Sequence, residues 1–406
     1  MRIRKLSGFA VLTVIAIGVS ACGTASSSSS TSSSTAKSAS TKTPYKIGVI
    51  FDTSGPGASL GSAETRGAQL MIDKINASGG VNGHQIDATF ADGTSQPDRA
   101  VQLAQQMISA GDVAILGPSL AASCEAVRPL IEQAGVTEYC LSGAPFTWSP
   151  HFFATDFDPV TNLGTLPAYW MKEHGYTKAA CIATSDASGD AYSKSFAATA
   201  PKQGVSIVDT EQFQSGATSV ATQLTNVRSS GAQAIYGCVS GSNLATIING
   251  MQSLGMNQPV WSGTGAASYA VANLVKNNLP SGGIYSLGTY IVVPNEIPAN
   301  LPGGAAIKSY VASYKAKYNE APDELGANAA DAVSLISNAL GHGATNGSAI
   351  ATFLQNLHGF QGLNSVYSFS ATNHRGTTPP GLVIQFTPQG SFKIVEKLNV
   401  AAALGS

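Results

Sequence analysis

Few residues of this chain have the types and spacing that enzyme chemistry requires. No HExxH pair and no phosphate-binding Walker A segment occurs in the sequence. Gly263-Thr264-Gly265 is only weakly similar to a dinucleotide-binding loop. The six histidines are scattered without the spacing of metal ligands (His84, His151, His174, His342, His358 and His374). The sequence therefore favours a protein that is not an enzyme and that uses neither a metal nor a cofactor.

Charge and size narrow the class of protein further. The formal net charge is −1 and only 11% of the residues are charged, so no basic stripe is available for nucleic acid or an anionic membrane surface. About 360 residues follow Pro44, which is too many for one core and suits two domains. Nothing in the sequence indicates oligomerisation, so we expect a monomer.

The first 43 residues have the pattern of an export signal and a tether. Arg2, Arg4 and Lys5 precede an apolar stretch that is shorter than the about 20 residues needed to cross a bilayer. We assign residues 1–21 to a signal peptide. Residues 22–43 are rich in serine and nearly free of apolar side chains, which predicts a disordered tether.

Four cysteines besides Cys22 allow two disulfides in an exported protein. Cys124 opens a predicted helix and Cys140 closes the next predicted strand, so we expect these two to be joined. Cys181 and Cys238 both lie inside predicted strands, where neighbouring parallel strands rarely place two sulfurs well for bridging. We do not expect the second pair.

Strand and helix patterns alternate regularly after the tether. The first run has strands at 45–51, 85–91, 113–116 and 136–141, with helices at about 63–76, 97–110 and 121–134. After a break near 155–159, strands are predicted at 179–184, 205–209, 234–239 and 259–262, each followed by a helical pattern. Another extended stretch covers 284–293, and helices follow at about 303–318, 325–340 and 348–357. Residues 381–386 and 392–395 have the pattern of a hairpin.

This pattern predicts an α/β protein of two doubly wound parallel-sheet domains joined by a hinge of several crossings. We assign residues 44–156 and 291–362 to an N-terminal lobe. Residues 157–290 and 363–406 form the C-terminal lobe in this assignment.

Several short motifs in a fixed order resemble a known family, the type I periplasmic solute-binding proteins of branched-chain amino acid ABC importers. The motifs are Ser54-Gly55-Pro56, Arg66-Gly67-Ala68, Gly79-Gly80-Val81-Asn82-Gly83, Leu116-Gly117-Pro118-Ser119 and the segment from Gly216 to Cys238. Val19-Ser20-Ala21-Cys22 resembles the bacterial lipoprotein box. The two resemblances imply a lipid-anchored protein outside the cytoplasm, with lipid on Cys22, that captures a small solute and delivers it to a membrane permease.

The resemblance also implies where the solute binds. In open α/β sheets a ligand lies beyond the carboxyl ends of the strands, and in two lobes these ends face one cleft. The candidate ligand-binding residues in these loops are Ser54, Leu60, Ser119, Ala121, Ser123, Ser142, Ala144, Asp186, Ser188, Val239, Ser240 and Thr264. Ser119 and Ser123 open a predicted helix, whose free N–H groups suit a carboxylate, but simple helix capping explains them equally well.

The candidate site departs from the family's amino-acid-binding members. The positions of their tyrosines hold Leu60, Ser188 and Val239 or Ser240, and their hydroxyl positions hold Ala121 and Ala144. Thr264 stands where those proteins have the acid that meets the ligand's ammonium group. Asp186 and Asp52 are the candidates that could replace this acid, although each is also explained as a loop cap.

The sequence does not decide whether the solute is an amino acid, an organic or aromatic acid, or an amide. Phe146, Trp148 and Trp261 are candidates for an apolar wall, with core packing the favoured role of Trp261. A ligand-sensing receptor module of the same fold is the alternative to a transport component.

Overall fold

The computed structural model describes residues 42–155, 157–377 and 381–405. The predicted signal peptide, Cys22 and all but the last two residues of the predicted tether lie outside the described residues. Within the described residues, no helix combines the length and the apolar character that crossing a membrane requires.

Two β-sheets organise the chain. The first has five parallel strands in the order β2-β1-β3-β4-β5. The second has seven strands in the order β14-β13-β10-β9-β8-β6-β7, of which β13 and β14 run antiparallel to their neighbours. A short antiparallel pair, β11 and β12, stands apart from both sheets. The strands are β1 Tyr45–Phe51, β2 Ile86–Asp92, β3 Ala114–Leu116, β4 Thr137–Cys140, β5 Phe152–Ala154, β6 Lys178–Thr184, β7 Ser206–Phe213, β8 Ala234–Cys238, β9 Val260–Ser262, β10 Ile284–Gly288, β11 Phe360–Gln361, β12 Val366–Tyr367, β13 Leu382–Phe386 and β14 Phe392–Lys397.

The α-helices that connect these strands cover both faces of the sheets. They are α1 Ala58–Ala77, α2 Pro97–Ala110, α3 Ala121–Ala134, α4 Leu166–Glu173, α5 Ala187–Thr199, α6 Ala221–Ser229, α7 Asn243–Ser253, α8 Tyr269–Val275, α9 Gly304–Tyr318, α10 Glu324–Gly341, α11 Gly347–Gln355 and α12 Val400–Ala403. The two predicted doubly wound sheets are therefore confirmed, whereas the residue bounds assigned above to the two lobes remain a prediction.

Successive residues of a strand pack into cores on opposite faces, as the pleat of a sheet requires. Val49 of β1 packs beneath α10 and α11, and its neighbour Ile50 packs against α2 and α3. In the second sheet Ile235 faces α7 and α8, and the adjacent Tyr236 faces α4 and α5. Because both faces are buried, central strands such as β3 and β8 are almost continuously apolar.

Helix α10 packs on the first sheet. Most of its buried apolar residues join the core beneath β1, whereas Ala327 and Ala330 join the core that contains Ile235 of the second sheet. Where α10 crosses α1 the two backbones touch, because a Cβ added at Gly67 would lie 1.8 Å from the Gly326 carbonyl oxygen. This contact fixes the amino-terminal end of α10 relative to the first sheet.

The structure differs from the expected elements in several places. The extended stretch predicted at 284–293 is a strand only over Ile284–Gly288, and the short elements β11, β12 and α12 were not predicted. Helix α1 begins at Ala58 rather than near residue 63, since Leu60 and Gly61 are buried in its first turn and do not belong to a loop. The short strand β5 and helix α4 were not predicted. Strand β7 runs four residues beyond its expected end, because it lies at the edge of its sheet and alternates in burial up to Phe213.

Both cysteine pairs are joined. The link between Cys124 and Cys140 agrees with the expectation from their positions in a helix and the next strand. The expectation that Cys181 and Cys238 stay apart is wrong. Cys181 lies opposite Tyr236, so Cys238 is two residues further along the neighbouring strand and points to the same face, with the two Cα atoms 6.2 Å apart. That separation lies within the usual range for disulfides.

Candidate functional site

One cavity lies between the carboxyl ends of the two sheets. Its walls are the loops after β3, β4, β5, β8 and β9 and the first turns of α1, α5 and α10. The lining residues are Leu60, Ser119, Leu120, Leu141, Ser142, Gly143, Ala144, Thr155, Leu163, Ser188, Ala191, Tyr192, Ser240, Thr264, Gly265, Glu324, Leu325 and Asn328. Strand ends of both sheets therefore meet at one site, as the topology predicts for a ligand.

Seven of the twelve candidate ligand-binding residues line this cavity, namely Leu60, Ser119, Ser142, Ala144, Ser188, Ser240 and Thr264. The other five, Ser54, Ala121, Ser123, Asp186 and Val239, do not. Phe146, Trp148 and Trp261 do not line it either. Trp261 is buried in the core of the second sheet, where its ring centroid lies 5.1 Å from that of Trp170.

The five residues away from the cavity have other local roles or surroundings. Asp186 caps α5, where it accepts hydrogen bonds from the Gly189 N–H and from the Thr184 hydroxyl. Ser54 is exposed, and its backbone N–H donates to Asp92. Ala121, Ser123 and Val239 are buried. Asp186 is therefore explained as a cap, and it does not replace the missing acid in the cavity.

Ser119 ties the cavity wall to the interior of the first lobe. Its Oγ accepts a hydrogen bond of 3.0 Å from the Asp52 N–H and donates one to the carboxyl group of Glu64. Since all three residues are buried, the serine hydroxyl is committed to the protein itself. A ligand near Ser119 would therefore meet the serine backbone, since the hydroxyl is bonded to Asp52 and Glu64.

Three carboxyl groups lie behind this wall. Burial raises the pKa of Glu64 well above its usual value, and the nearby charges of Asp52 and Asp323 raise it further. Burial also raises the pKa of Asp52 and that of Asp323 to about 6. Asp52 accepts a hydrogen bond from the Ser95 N–H and Asp323 caps α10, so neither enters the cavity lining. Together they make this side of the site acid-rich.

An arginine stands behind the opposite wall. Arg375 is buried and its guanidinium group donates hydrogen bonds to the carbonyl oxygens of Ser142, Ala144 and Thr155, which all line the cavity. The rings of Phe146 and Trp148 each lie 5.5 Å from its Cζ atom. The two aromatic residues thus pack on this cation, outside the cavity.

Eleven of the eighteen lining residues were not among the candidates, and three of these have polar side chains on α5 or α10. Tyr192 lies one turn after Ser188 on α5, and its hydroxyl oxygen accepts a hydrogen bond of 3.1 Å from the Gly265 N–H. Glu324 and Asn328 lie one turn apart at the start of α10. The four-residue spacing from Ser188 is a signal for Tyr192. No local signal exists for α10, because only the packing of α10 on α1 brings its first turn to the cleft.

Gly57–Gly61 matches the G-x-S-x-G string of serine hydrolases, which makes Ser59 a candidate nucleophile. A nucleophilic serine needs an adjacent base that accepts its proton. The Ser59 Oγ is buried and has no hydrogen-bond partner among the described residues. Cys124, Cys140 and Glu138 similarly cluster as metal ligands would, but the two sulfurs are joined and offer no thiolate.

The similarity to known proteins extends over most of the described residues. The periplasmic binding protein family matches residues 44–389. Among curated relatives, a Leu/Ile/Val-binding protein homolog of Brucella melitensis is 25% identical over 198 residues, which are 47% of this chain and 53% of that protein. The Leu/Ile/Val/Thr-binding protein of Salmonella typhimurium is 22% identical over 275 residues, which are 65% of this chain and 72% of that protein. The chain thus spans about half the length of the Brucella relative and 72% of the length of the Salmonella relative.

Solved structures have the same fold. An extracellular ligand-binding receptor from Rhodopseudomonas palustris superposes with a TM-score of 0.80 at 19% identity, covering 87% of this chain and 99% of the other. The branched-chain amino acid transporter substrate-binding protein of Streptococcus pneumoniae, in complex with isoleucine, gives 0.74 at 24% identity, covering 87% and 99%. These relatives are binding proteins and receptors, not enzymes. The chain belongs to the periplasmic binding protein family, in the type I group that includes the Leu/Ile/Val-binding proteins.

Proposed function

We propose that this protein is the extracytoplasmic solute-binding component of an ABC importer. Proteins of this family work outside the cytoplasm. The observation that carries the proposal is the cavity whose walls come from the carboxyl ends of both sheets. A solute in that cavity contacts both lobes at once, so it stabilises the closed arrangement relative to an open one.

The solute is small in this proposal. The cavity volume is about 40 Å³. Each ordered water needs roughly 10–15 Å³ of such space. The closed cleft therefore suits a solute of few non-hydrogen atoms. A larger solute requires that the cleft close less tightly around it. An amino acid, a short organic or aromatic acid and an amide are the candidate classes.

Delivery to a permease and anchoring complete the proposal. The closed, loaded protein docks on a membrane permease, and the lipid on Cys22 and the tether of residues 22–43 keep it close to that partner. The protein acts as a monomer. Its lobes are residues 44–156 with 291–362, and residues 157–290 with 363–406.

A thermal-shift screen tests solute binding. The purified protein is unfolded and refolded to remove bound solute, and then tested against aliphatic amino acids, aromatic and short-chain acids, amides, polyamines and sugars. A solute at 100 times its Kd is expected to add about 2.7 kcal/mol to the free energy of unfolding. If no small solute raises the melting temperature, the proposal is wrong.

A sensory receptor of the same fold is the second candidate function. The similarity to extracellular ligand-binding receptors favours it. Reconstitution with membrane permeases and their ATPases from the same cell separates the two functions. Transport stimulated by the loaded protein supports the importer, and solute binding without any stimulation supports the receptor.

A further inference from the structure

We propose that Cys124, Cys140 and Glu138 bind a thiophilic divalent cation such as zinc when the bond between the two cysteines is reduced. The inference is independent of the proposed function, since none of the three residues lines the solute cavity.

The carboxyl group of Glu138 is the observation that calls for an explanation. Glu138 lies in β4 and is 0% exposed, and neither of its carboxyl oxygens has a hydrogen-bond partner among the described residues. A buried carboxyl group without a partner is costly. A redox role and a bound ion are two of the reasons for which proteins keep such a group. The disulfide form of the protein thus leaves this acid unsatisfied.

The two sulfurs lie beside this carboxyl group. One oxygen of Glu138 and the Sγ atoms of Cys124 and Cys140 lie within 4.8 Å of one another. Glu138 and Cys140 are two residues apart in β4, so their side chains leave the same face of the sheet. Cys124 comes from α3, with its Cα atom 5.9 Å from that of Cys140. Because zinc lies about 2.0–2.3 Å from its ligands, one such ion fits between the three atoms once the sulfur–sulfur bond is open.

The donor set suits zinc better than the hard cations. Two thiolates favour zinc over magnesium or calcium, and a carboxylate oxygen is also a common zinc ligand. The Pro118 carbonyl oxygen lies 3.3 Å from the Cys124 Sγ atom, close to the fourth position of a tetrahedral ion. Phe146, Trp148 and Phe152 pack around the sulfurs. This apolar surrounding limits the access of water to the site.

The site exists only in the reduced protein. A dithiol reductant supplies two electrons and two protons, which convert the disulfide into two thiols while the reductant becomes a disulfide. The cation then displaces the two thiol protons and the proton of a neutral Glu138. The cysteines are also thiols in the newly made chain, so cation binding and oxidation compete for the same pair.

The cation would connect the same two loops that the disulfide connects. Cys124 lies in the first turn of α3, which follows the cavity-lining residues Ser119 and Leu120. Cys140 ends β4 and directly precedes the cavity-lining segment 141–144. A bound cation therefore preserves this wall of the cavity in the reduced protein.

The test isolates one cysteine pair at a time. All proteins carry Cys22→Ser, and Cys181→Ala with Cys238→Ala leaves only the pair beside the buried acid. The reciprocal protein, with Cys124→Ala and Cys140→Ala, keeps a buried pair that belongs to no group of three possible metal ligands among the described residues. Each protein is unfolded, reduced with a phosphine and refolded without oxygen. It is then titrated with Co²⁺, a spectroscopic probe for zinc sites.

The protein with the pair beside Glu138 is expected to bind one Co²⁺ per chain, with a thiolate-to-cobalt charge-transfer band that Zn²⁺ removes. Glu138→Gln in this protein and the reciprocal protein are each expected to bind Co²⁺ at least tenfold more weakly. Glu173→Gln is the control, because Glu173 is exposed at the end of α4, and its affinity for Co²⁺ is expected to be unchanged. Zn²⁺ is expected to raise the melting temperature of the reduced protein and to leave that of the oxidised protein unchanged.

Other outcomes overturn the inference, whatever the solute-binding tests give. Equal Co²⁺ affinity of the two cysteine pairs, or an unchanged affinity after Glu138→Gln, excludes Glu138 as a ligand. Equal binding by the reduced and the oxidised protein places the cation elsewhere. A reduced protein that stays unfolded in the presence of Zn²⁺, judged by circular dichroism, also contradicts the inference, because the site then does not assemble.

Discussion

At the scale of single residues, buried polar groups shape the cavity wall more than the groups that face the cavity do. Ser119 was singled out as a ligand-binding or capping residue, yet its hydroxyl connects the backbone of Asp52 with Glu64. Ser123, four residues later, is also buried, but its Oγ has no hydrogen-bond partner among the described residues. Two serines near the start of the same helix, α3, thus differ in their hydrogen bonding.

Replacing each serine by alanine is expected to separate these environments. Ser119→Ala leaves a buried N–H group and a buried carboxyl group without their partner, so we expect a loss of about 1–3 kcal/mol in the free energy of unfolding. Ser123→Ala removes a hydroxyl that has no such bond and is expected to be neutral or slightly stabilising. Urea unfolding measures both. Equal effects of the two substitutions would contradict this account of Ser119.

The buried aspartates predict an unusual dependence of stability on pH. Burial raises the pKa of Asp52, Asp112, Asp323 and Asp331 from 3.8 to about 6. Between about pH 4 and pH 6 the folded protein therefore binds more protons than the unfolded chain does. Because of this excess, the free energy of unfolding falls as the pH rises through that window.

Denaturant unfolding across pH 4 to 7 checks this dependence. Asp331→Asn removes one of the four groups, so its curve is expected to fall less steeply than the wild-type curve. The variant is also less stable throughout, since Asp331 accepts hydrogen bonds from Leu363, Asn364 and Tyr367. The slope is the readout, and a wild-type stability that rises from pH 4 to pH 6 would contradict the prediction.

At the scale of elements, α10 connects the cavity to the hinge. Asn364, in the segment between β11 and β12, donates hydrogen bonds to the Glu324 carbonyl oxygen and to the Asn328 side chain. Its own side-chain oxygen accepts a hydrogen bond from Thr289, just after β10 of the second sheet. One asparagine thus joins the cavity end of α10 to a chain crossing between the sheets.

Asn364→Ala is expected to reduce both stability and solute affinity. It leaves several polar groups of the crossing without partners, at a cost of about 1–3 kcal/mol, and it frees the first turn of α10 that carries Glu324. Asn346→Ala is the matched control, because Asn346 only caps α11 and its loss costs about 1 kcal/mol. If the two variants bind solute equally well, measured by calorimetry, Asn364 does not support the site.

The elements were largely predictable from the sequence, since burial of both sheet faces leaves long apolar strands between periodic helices. The exceptions follow from context. Strand β5 has only three residues and depends on pairing with β4. The loops of the site were predictable, because ligands of open α/β sheets bind beyond the carboxyl ends of the strands. Seven of the candidates chosen on this basis line the cavity. Glu324 was not, because its place depends on the contact between α1 and α10, which no local pattern encodes.

At the scale of the whole molecule, the structure is a closed form. The edges of the cleft meet where Gly241, after β8, faces Ser59 of α1, and a Cβ added at Gly241 would lie 3.0 Å from the Ser59 Oγ. Gly241 has φ of 59°, in the left-handed region that asparagine tolerates better than most residues. A side chain at this point would therefore crowd Ser59 in the closed state.

Gly241→Asn is expected to hinder closure without disturbing the fold. We expect solute affinity to fall about tenfold or more, because the new side chain competes with Ser59 for the same space. Gly255→Asn is the control, with φ of 64° and no atom within 4 Å of an added Cβ. Calorimetric affinities of the two variants give the comparison. Equal affinities would show that contact between these edges is not needed for binding.

Small-angle X-ray scattering tests the central claim most directly. The refolded, solute-free protein is compared with the same protein saturated by the solute that gives the largest thermal shift. The account predicts a smaller radius of gyration with solute, because the two lobes close around it. Identical scattering curves at saturation would contradict hinge closure as the means by which this protein holds its solute.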